Sequence, residues 1–261
     1  MKGHKTLLKF VMIFVFTFIF SVKAKSNGQV ARVVVEHWPP WEIAYDETKE
    51  EVTAGVAVEI VQEIFSRLDI NFELHTAPWK RALLYIEEGK YDLIPMVSQN
   101  AQRTGYMVFT IPVYNDLVLL AYSTDKFKHF KWDKWEDLKP YEIRAVRGYN
   151  YGKAWNSAVE EYGLHVEESV TDIQNIKMLI GGRIELALLG YSSGVGIIRR
   201  MGGRGHEKIR FVENPIYKTV YNFGISKKSF LAKRLPEINK VLQEMKADGT
   251  LKKIMKELYI E

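Results

Sequence analysis

Residues 30–97 contain five apolar segments that decide the fold: VARVVV (30–35), VEIVQEIFSRL (58–68), FELH (72–75), WKRALLYIEE (79–88) and LIPMV (93–97). The first is a β-branched run, typical of a buried strand, and it leads to Pro39 and Pro40, which exclude both a helix and a strand ladder. The second and fourth carry apolar residues at helical spacing, and Gly89 closes the fourth. Strands that alternate with helices in this order predict an α/β fold with a mostly parallel sheet.

The same alternation restarts in the second part of the chain. A strand at 118–122 is followed by an irregular polar and aromatic stretch at 126–139. The remaining apolar patterns predict strands at 142–146, 184–189 and 217–225, and helices at 151–162, 172–180, 231–247 and 251–258. Thr171 or Asp172 is suited to cap the helix that ends near residue 180. The pattern therefore predicts a second α/β unit and C-terminal helices.

The N-terminus has the pattern of a secretory signal peptide. Lys2, Lys5 and Lys9 precede an apolar run at 10–20, and small residues follow up to Ala24. We predict cleavage after Ala24, so that residues 1–24 are removed. The alternative, a signal anchor, needs about 20 apolar residues, and this run is much shorter.

Composition excludes several classes of function. Removing residues 1–24 takes away four lysines and no acid, so the formal net charge falls from +5 to +1 (5 minus 4). No basic block remains, which argues against a nucleic-acid partner. The chain has no Cys, so it has neither a lipid attachment point nor a thiol nucleophile. Its histidines lack metal-ligand spacing, and we predict no metal site and no cofactor.

Short sequence blocks, spread over nearly the whole chain, fit one family in the right order: HWPPW (37–41), PWKRAL (78–83), GKYD (89–92), Arg103 followed by PVY (112–114), RGYNY (147–151), GRIE (182–185) and KADGTL (246–251). Together they resemble the family 3 periplasmic solute-binding proteins. These are two-lobed receptors that deliver polar amino acids and related small molecules to membrane transporters.

The resemblance implies two Rossmann-like α/β lobes joined by a two-strand hinge, the type II periplasmic binding protein fold. The first lobe is expected at 25–117 plus 221–261, and the second at 118–220. The chain would cross between them near 117–121 and 220–224, and hinge closure around a ligand would be the working motion. A monomer in the periplasm, serving an inner-membrane ABC permease, is the implied setting.

Arg103 is the first predicted ligand residue. It ends the stretch Ser98-Gln99-Asn100-Ala101-Gln102-Arg103, which in this family ends in a carboxylate-binding arginine. A guanidinium offers parallel donors that match the two oxygens of a carboxylate. The resemblance assigns Ser98 further donors to the same carboxylate. Asn100 stands where the family prefers threonine.

Trp38 and Trp79 take the positions of aromatic residues that enclose the ligand's side chain in the family. Indole faces bury a large area and attract cations. The two residues follow separate strands and would converge on one crevice at the strands' carboxyl ends. For Trp41, a core position is at least as good an interpretation as ligand contact.

In the second lobe, Gly148-Tyr149-Asn150 takes the place of a glycine-hydroxyl turn that presents backbone amides to an anion at a helix N-terminus. Asn150 stands where a serine or threonine would, and we expect it to contact the ligand. Arg147 either adds positive charge there or is a solvated surface residue.

The main departure from the family is Gly190. Counted from Glu185, it falls where amino-acid receptors place the aspartate that holds the ligand's α-ammonium group. A buried ammonium group without a partner is costly, so either another acid such as Glu36 supplies the charge or the ligand lacks the ammonium group. Tyr191 offers a hydroxyl group nearby.

The leading hypothesis is a binding protein that captures a small carboxylate-bearing ligand and is not an enzyme. An alternative is an enzyme on the same scaffold, because some relatives of the family are cyclohexadienyl or arogenate dehydratases. That chemistry needs an acid in the crevice, and Glu36 is the candidate. A third hypothesis is a ligand sensor for a membrane receptor.

Overall fold

The computed structural model describes residues 28–44, 52–202 and 205–256. The predicted signal peptide at 1–24 and the end of the helix predicted at 251–258 lie outside these ranges. Within them, no helix combines the length and the apolar character that a membrane crossing requires.

The first part of the chain alternates strands and helices as predicted. Its elements are β1 (Ala31–Val35), β2 (Ile43–Ala44), β3 (Val52–Ala54), α1 (Val56–Arg67), β4 (Phe72–Thr76), α2 (Trp79–Glu88), β5 (Leu93–Ser98), α3 (Ala101–Thr104), β6 (Met107–Phe109) and β7 (Tyr114–Ser123). Helix α2 ends at the predicted residue because Gly89 adopts the left-handed conformation, with φ 76°, that glycine tolerates.

The remaining elements are a 3₁₀ helix (Trp135–Leu138), β8 (Ile143–Val146), α4 (Lys153–Tyr162), β9 (Val166–Ser169), α5 (Asp172–Ile180), β10 (Leu186–Gly190), α6 (Tyr191–Met201), α7 (Gly205–Lys208), β11 (Ile209–Phe211), β12 (Tyr217–Ser226), a second 3₁₀ helix (Phe230–Arg234), α8 (Leu235–Ala247) and α9 (Thr250–Ile254). Thr171 caps α5 by accepting a hydrogen bond from the N–H of Gln174. The helix predicted at 231–247 is divided, because Pro236 lacks an N–H and suits the first turn of a new helix, α8.

One sheet runs through the molecule in the order β4-β1-β5-β12-β7-β10-β8-β9, with β6 on β12 and β11 on β7. Strand β1 pairs in parallel with β4 and β5, and β8 pairs in parallel with β9 and β10. The two central strands, β7 and β12, are antiparallel to each other. The predicted α/β class is therefore confirmed, with a parallel group of strands on each side of an antiparallel centre.

Strands β7 and β12 carry the chain across the centre in opposite directions. Residues 114–118 of β7 pair with residues 217–221 of β12. Beyond that stretch, β7 pairs with β10, and β12 pairs with β5. We call the side with β1, β4, β5, α1, α2, α8 and α9 the first lobe, and the side with β8–β10 and α4–α6 the second lobe. The predicted boundaries at 117/118 and 220/221 fall inside these continuous strands and stay a prediction.

Each lobe buries both faces of its part of the sheet. In β1, Val33 packs in a core cluster with residues of α1 and α8, whereas its neighbour Val34 packs in another with residues of α2. In β10, Leu188 likewise packs in one second-lobe cluster, and its neighbour Leu189 packs in another. Because successive strand residues point to opposite faces, helices cover both sides of the sheet. The strand ends are therefore free to form a site.

Candidate functional site

A crevice lies between the lobes at the carboxyl ends of the first lobe's parallel strands. It encloses about 450 Å³ of space free of atoms, its open mouth included. Six of the predicted ligand residues line it: Glu36, Trp38, Trp79, Ser98, Arg103 and Asn150. The structure brings these six side chains together, and their contact with a ligand stays a prediction.

The strand order explains why distant residues meet here. Glu36 directly follows β1, Trp79 begins the helix after β4, and Ser98 is the last residue of β5. These strands are neighbours in the parallel group, so their carboxyl ends share one edge of the sheet. Open α/β sheets place ligand sites outside that edge.

Arg103 is held by the short helix α3. The side chain of Asn100 caps this helix and accepts a 2.8 Å hydrogen bond from the N–H of Arg103. The guanidinium is buried, with 3% of the residue exposed. It donates to the carbonyl of Ser98 at 2.7 Å, to the hydroxyl of Ser98 at 3.1 Å and to the carbonyl of Gly148 at 2.9 Å. These bonds account for three of the five N–H groups of a guanidinium.

Burial lowers the pKa of Arg103 to about 10, and the ionisable groups that act on it are tyrosines rather than a carboxylate. The guanidinium lies over the indole of Trp79, 5.4 Å from the ring centroid. A buried cation that is bound only to neutral groups is costly unless an anion joins it. The site therefore has the chemistry to attract a carboxylate.

The second lobe meets Arg103 through the turn at 148–150. The Gly148 carbonyl accepts hydrogen bonds from Arg103 and, at 3.0 Å, from the indole N–H of Trp79. Asn150 donates to the Ser98 hydroxyl at 3.3 Å and to the Gln99 carbonyl at 3.2 Å. The turn thus directs a carbonyl at Arg103 rather than the predicted amides, and α4 begins later, at Lys153.

Arg147 points away from this turn. Its guanidinium pairs with Glu168 at 2.5 Å, and both side chains are more than half exposed. Of the two interpretations left open by the sequence, the structure favours the surface residue.

Glu36 is the acid that faces the crevice. It is buried, and its carboxylate accepts hydrogen bonds from the Tyr149 hydroxyl and from the backbone N–H of Trp79. Burial is the main reason that its pKa rises from 4.5 to about 8, and the nearby charge of Asp172 adds to the effect. Near neutral pH, this side chain is therefore mostly protonated.

Asp172 is a second buried acid, which lies behind the crevice wall in contact with Trp38, and its only signal in the sequence is a helix start. Its Oδ2 accepts 2.9 Å and 3.3 Å hydrogen bonds from the Trp38 indole and the Ser193 hydroxyl, whereas its buried Oδ1 has no hydrogen-bond partner. Burial raises its pKa to about 6. Because Trp38 belongs to the first lobe and Asp172 to the second, this bond joins the lobes.

Gly190 lines the crevice, and the space beside it is already occupied. A Cβ at this position would lie 2.9 Å from the Ser193 hydroxyl and 3.4 Å from Oδ2 of Asp116. Asp116 is buried and accepts hydrogen bonds from the backbone and hydroxyl of Ser192. Burial also raises the pKa of Asp116. The carboxyl group of Asp116 therefore lies beside residue 190, although residue 190 itself supplies none.

Tyr191 is the predicted residue that the structure does not bring to the crevice. It is 47% exposed, and its ring contacts Phe211 with centroids 5.4 Å apart. As the first residue of α6, it points away from the strand end that Gly190 occupies. Three other tyrosines line the crevice instead, namely Tyr149, Tyr151 and Tyr221.

Trp41 is a core residue. It is fully buried, and its ring packs against Tyr114 with centroids 4.9 Å apart. It also lies 6.2 Å from Trp38, so it supports the crevice wall from behind. The core interpretation of Trp41 is the one that fits the structure.

One surface cluster has metal-ligand residue types. Glu142, His165 and Glu167 bring potential ligand atoms within 4.8 Å of one another on the second lobe. Arg144 bonds to Glu142 at 2.9 Å and to Glu167 at 3.2 Å. The acids are thus already paired, and the cluster gives no argument for a site.

The chain matches the family model for bacterial extracellular solute-binding proteins, family 3, over residues 31–260. Among curated proteins, the probable amino-acid-binding protein YxeM of Bacillus subtilis (strain 168) is 22% identical over 208 residues. That alignment covers 79% of this chain and 76% of the relative.

Solved structures show the same architecture. An ancestral arginine-binding protein bound to arginine superposes with a TM-score of 0.74 at 17% identity, covering 88% of this chain and 97% of that chain. A histidine kinase sensor domain with similarity to periplasmic binding proteins superposes with a TM-score of 0.74 at 19% identity, covering 88% and 95%. The predicted fold, two α/β lobes joined by a two-strand hinge, is confirmed.

Proposed function

Because the chain belongs to the bacterial extracellular solute-binding proteins of family 3, we propose that it captures a small carboxylate-bearing ligand, an amino acid or a related compound, between its lobes. The observation that carries this proposal is the buried guanidinium of Arg103, which is bound to carbonyl and hydroxyl oxygens at the crevice. A ligand carboxylate would take the remaining N–H groups and neutralise the charge. Ser98 and Asn150 would complete the polar lining.

Capture would proceed by closure of the second lobe onto the first. Asn150 and Gly148 already form hydrogen bonds to first-lobe residues at the crevice, so ligand contact and lobe contact share one turn. Trp38 and Trp79 would enclose the part of the ligand beyond its carboxylate. The paired stretches of β7 and β12 would bend as the hinge.

The setting follows the family. We propose a monomer that acts in the periplasm after loss of residues 1–24 and delivers its ligand to an ABC permease. We propose no cofactor and no nucleic-acid partner. YxeM, by its name a probable amino-acid-binding protein, supports the amino-acid class of ligand.

Glu36 is the observation that favours an enzyme as the second candidate. A carboxylic acid that stays protonated near neutral pH in a closed crevice is suited to general acid catalysis. We favour binding, because Glu36 is held by Tyr149 and its raised pKa is explained by burial. Recovery of an unchanged ligand after incubation supports binding, whereas conversion of prephenate or arogenate to an aromatic product, with loss of both water and carbon dioxide, establishes a dehydratase.

The proposal is tested by a thermal-unfolding screen of the purified protein against the amino acids and matched carboxylates that lack an ammonium group. A ligand that binds the native state and not the unfolded state raises the unfolding temperature. At a ligand concentration of 100 times its Kd, it adds about 2.7 kcal/mol to the free energy of unfolding. We expect at least one carboxylate to do so. If no carboxylate raises the unfolding temperature, the binding proposal is wrong.

Closure itself depends on Gly196 of α6. A Cβ on Gly196 would lie 2.6 Å from Cδ of Pro40, which belongs to the first lobe. Gly196→Ala should favour the helix by roughly 0.5 to 1 kcal/mol yet obstruct closure. We expect an overpacking cost of about 1 to 3 kcal/mol in binding, or a roughly 5- to 150-fold loss of affinity.

Calorimetric titration of Gly196→Ala measures the loss of affinity. Unfolding of the same samples measures the change in stability. Because Val is larger than Ala, we expect Gly196→Val to lose more affinity than Gly196→Ala. Unchanged affinity in both variants would show that the two lobes do not approach at Gly196 when the ligand is bound.

A further inference from the structure

Residues 126–134, KFKHFKWDK, form an exposed concentration of lysine that the crevice does not use. We propose that this stretch, called here the basic segment, is a contact surface for membranes rich in anionic lipid headgroups, and that it holds the protein at such a membrane. The proposal concerns a part of the second lobe that is separate from the crevice. It therefore does not depend on the ligand proposed above.

The first argument is the distribution of charge. The basic segment has four lysines and one acid, a formal net charge of +3 (4 minus 1). The predicted mature chain has a net charge of +1, so its residues outside the segment sum to −2 (1 minus 3). An anionic surface therefore attracts this part of the molecule more than the rest, which favours one orientation. The lysines are separated by other residues, so the segment is not a continuous basic block.

The second argument is the way in which the segment is folded. It contains no helix or strand, and its rings anchor it to the second lobe. Trp132 is buried in a core cluster of that lobe, and Phe127 and Phe130 pack against the same cluster. The centroids of these two phenylalanine rings are 5.1 Å apart. Because the rings face the core, the lysines between them are exposed, namely Lys126, Lys128, Lys131 and Lys134.

The acids near the segment are engaged elsewhere. Asp125 pairs with Lys208 at 2.7 Å. One oxygen of Asp137 accepts hydrogen bonds from two backbone N–H groups at the end of the segment, at 3.0 and 3.1 Å. Among the residues that the structure describes, the lysines that form ion pairs are Lys208 and Lys240. The charge of the segment's four lysines is therefore available to an external anion.

The segment lies at the end of the second lobe that is away from the crevice. Strand β7 runs from Val118, which lines the crevice, to Ser123, just before the segment. Five residues of an antiparallel strand span about 17 Å. The exposed Arg183 is at the same end, because a Cβ on its neighbour Gly182 would lie 4.0 Å from the side chain of Lys126. The surface proposed to contact lipid is thus separate from the lining of the crevice.

The residue types favour lipid over other anionic partners. Lysine carries a compact, strongly hydrated charge, whereas arginine is the usual residue for directed contacts to phosphates and carboxylates. Interfaces with proteins commonly centre on aromatic or arginine anchors, and single-stranded nucleic acids stack on exposed rings. The rings of the basic segment are buried or half-buried instead. Clustered lysines bind anionic membranes through diffuse charge, and each contributes about fivefold in affinity.

The test is a sedimentation assay with lipid vesicles, and it needs no ligand. The protein is purified without residues 1–24, so that the apolar run at 10–20 does not itself bind lipid. We expect binding to vesicles of equal parts phosphatidylglycerol and phosphatidylcholine, and none to pure phosphatidylcholine. Binding should fall steeply between about 0.1 M and 1 M salt, because the screening length shortens from about 10 Å to about 3 Å.

Two double variants separate the basic segment from net charge alone. Lys128→Gln combined with Lys131→Gln should weaken binding to the anionic vesicles by about 25-fold, fivefold for each lysine. Lys252→Gln combined with Lys253→Gln is the matched control, because it removes the same charge from exposed positions on α9 of the first lobe. We expect the control to change binding by less than about threefold.

Three results would overturn the proposal. They are equal binding, or none, to both kinds of vesicle; equal losses in the two double variants; and tighter binding to polyglutamate or single-stranded DNA than to the anionic vesicles. The last of these assigns the segment to an acidic protein or a nucleic acid instead. Thermal unfolding checks that both variants are folded, and the comparison of the two vesicle compositions with the unaltered protein does not depend on the variants.

Discussion

Replacing Arg103 with Ala is expected to weaken ligand binding by about 2 to 5 kcal/mol, the usual cost of truncating one partner of a buried, hydrogen-bonded charge pair. The expected loss is large because Arg103 would serve two interfaces at once. It would bind the ligand carboxylate, and it also donates to Gly148 of the second lobe. The Ala variant therefore loses the anion partner and one bond that holds the lobes together.

Calorimetric titration with a ligand found in the thermal screen measures this loss. Arg103→Lys keeps the charge without the planar pair of donors, so we expect an intermediate affinity. Arg147→Ala is the matched control, because Arg147 is the sequence neighbour of Gly148, which contacts Arg103, but pairs with Glu168 on the surface. Unchanged affinity of a folded Arg103→Ala variant would remove Arg103 from the ligand site.

Glu36→Gln is expected to stabilise the protein in the absence of ligand at alkaline pH. The pKa of Glu36 rises from 4.5 in the unfolded chain to about 8 in the fold. The native state thus binds more protons than the unfolded state between these values, so the free energy of unfolding falls as pH rises through that window. Each pH unit in this window lowers the free energy of unfolding by about 1.4 kcal/mol, so the loss by pH 8 is on the order of 4 kcal/mol.

Gln keeps the shape of Glu36 and can accept the Tyr149 hydroxyl, yet it cannot ionise. Urea unfolding at pH 6.5, 7.5 and 8.5 should therefore show a stability that declines more steeply in the unaltered protein than in the variant. Asp172 has a pKa of only about 6 and completes its own contribution near that value, whereas burial also raises the pKa of Glu42, which contributes the same decline to both proteins. Parallel curves for the two proteins would contradict this account, and Glu73→Gln should reproduce the unaltered slope.

Glu36 therefore costs the ligand-free protein stability at alkaline pH, and its side chain lines the crevice. Binding sites commonly retain groups that lower stability because function needs them.

Local patterns predicted most of the fold. Helix α2 was predicted within its observed bounds, because its apolar spacing and Gly89 both act within the segment. Thr171 was one of the two residues predicted to cap α5, for the same reason, and it is the one that does so. The short strands β6 and β11 escaped prediction, because three residues carry too little periodicity and are fixed by pairing with β12 and β7.

The site was predictable only where the family blocks reach it. Glu36, Trp38, Trp79, Ser98, Arg103 and Asn150 lie in or beside such blocks, and the structure brings all of them to the crevice. Asp172 was missed because its sequence context is fully explained by a helix start. Trp38 and Asp172 are 134 positions apart in the sequence, so only the folded chain brings them together. Tyr191 was misplaced because sequence position next to Gly190 does not give the direction of a side chain.

The central position of β12 also has a consequence for the order in which the protein is built. Strands β7 to β11 and their helices form one continuous stretch of chain. In contrast, β5 pairs with β12, and α1 packs against α8 and α9, which are all synthesised much later. As a chain grows from its N-terminus, contiguous units can fold first. A chain halted after residue 216 would therefore have a complete core in its later-made lobe and an incomplete one in the lobe begun first.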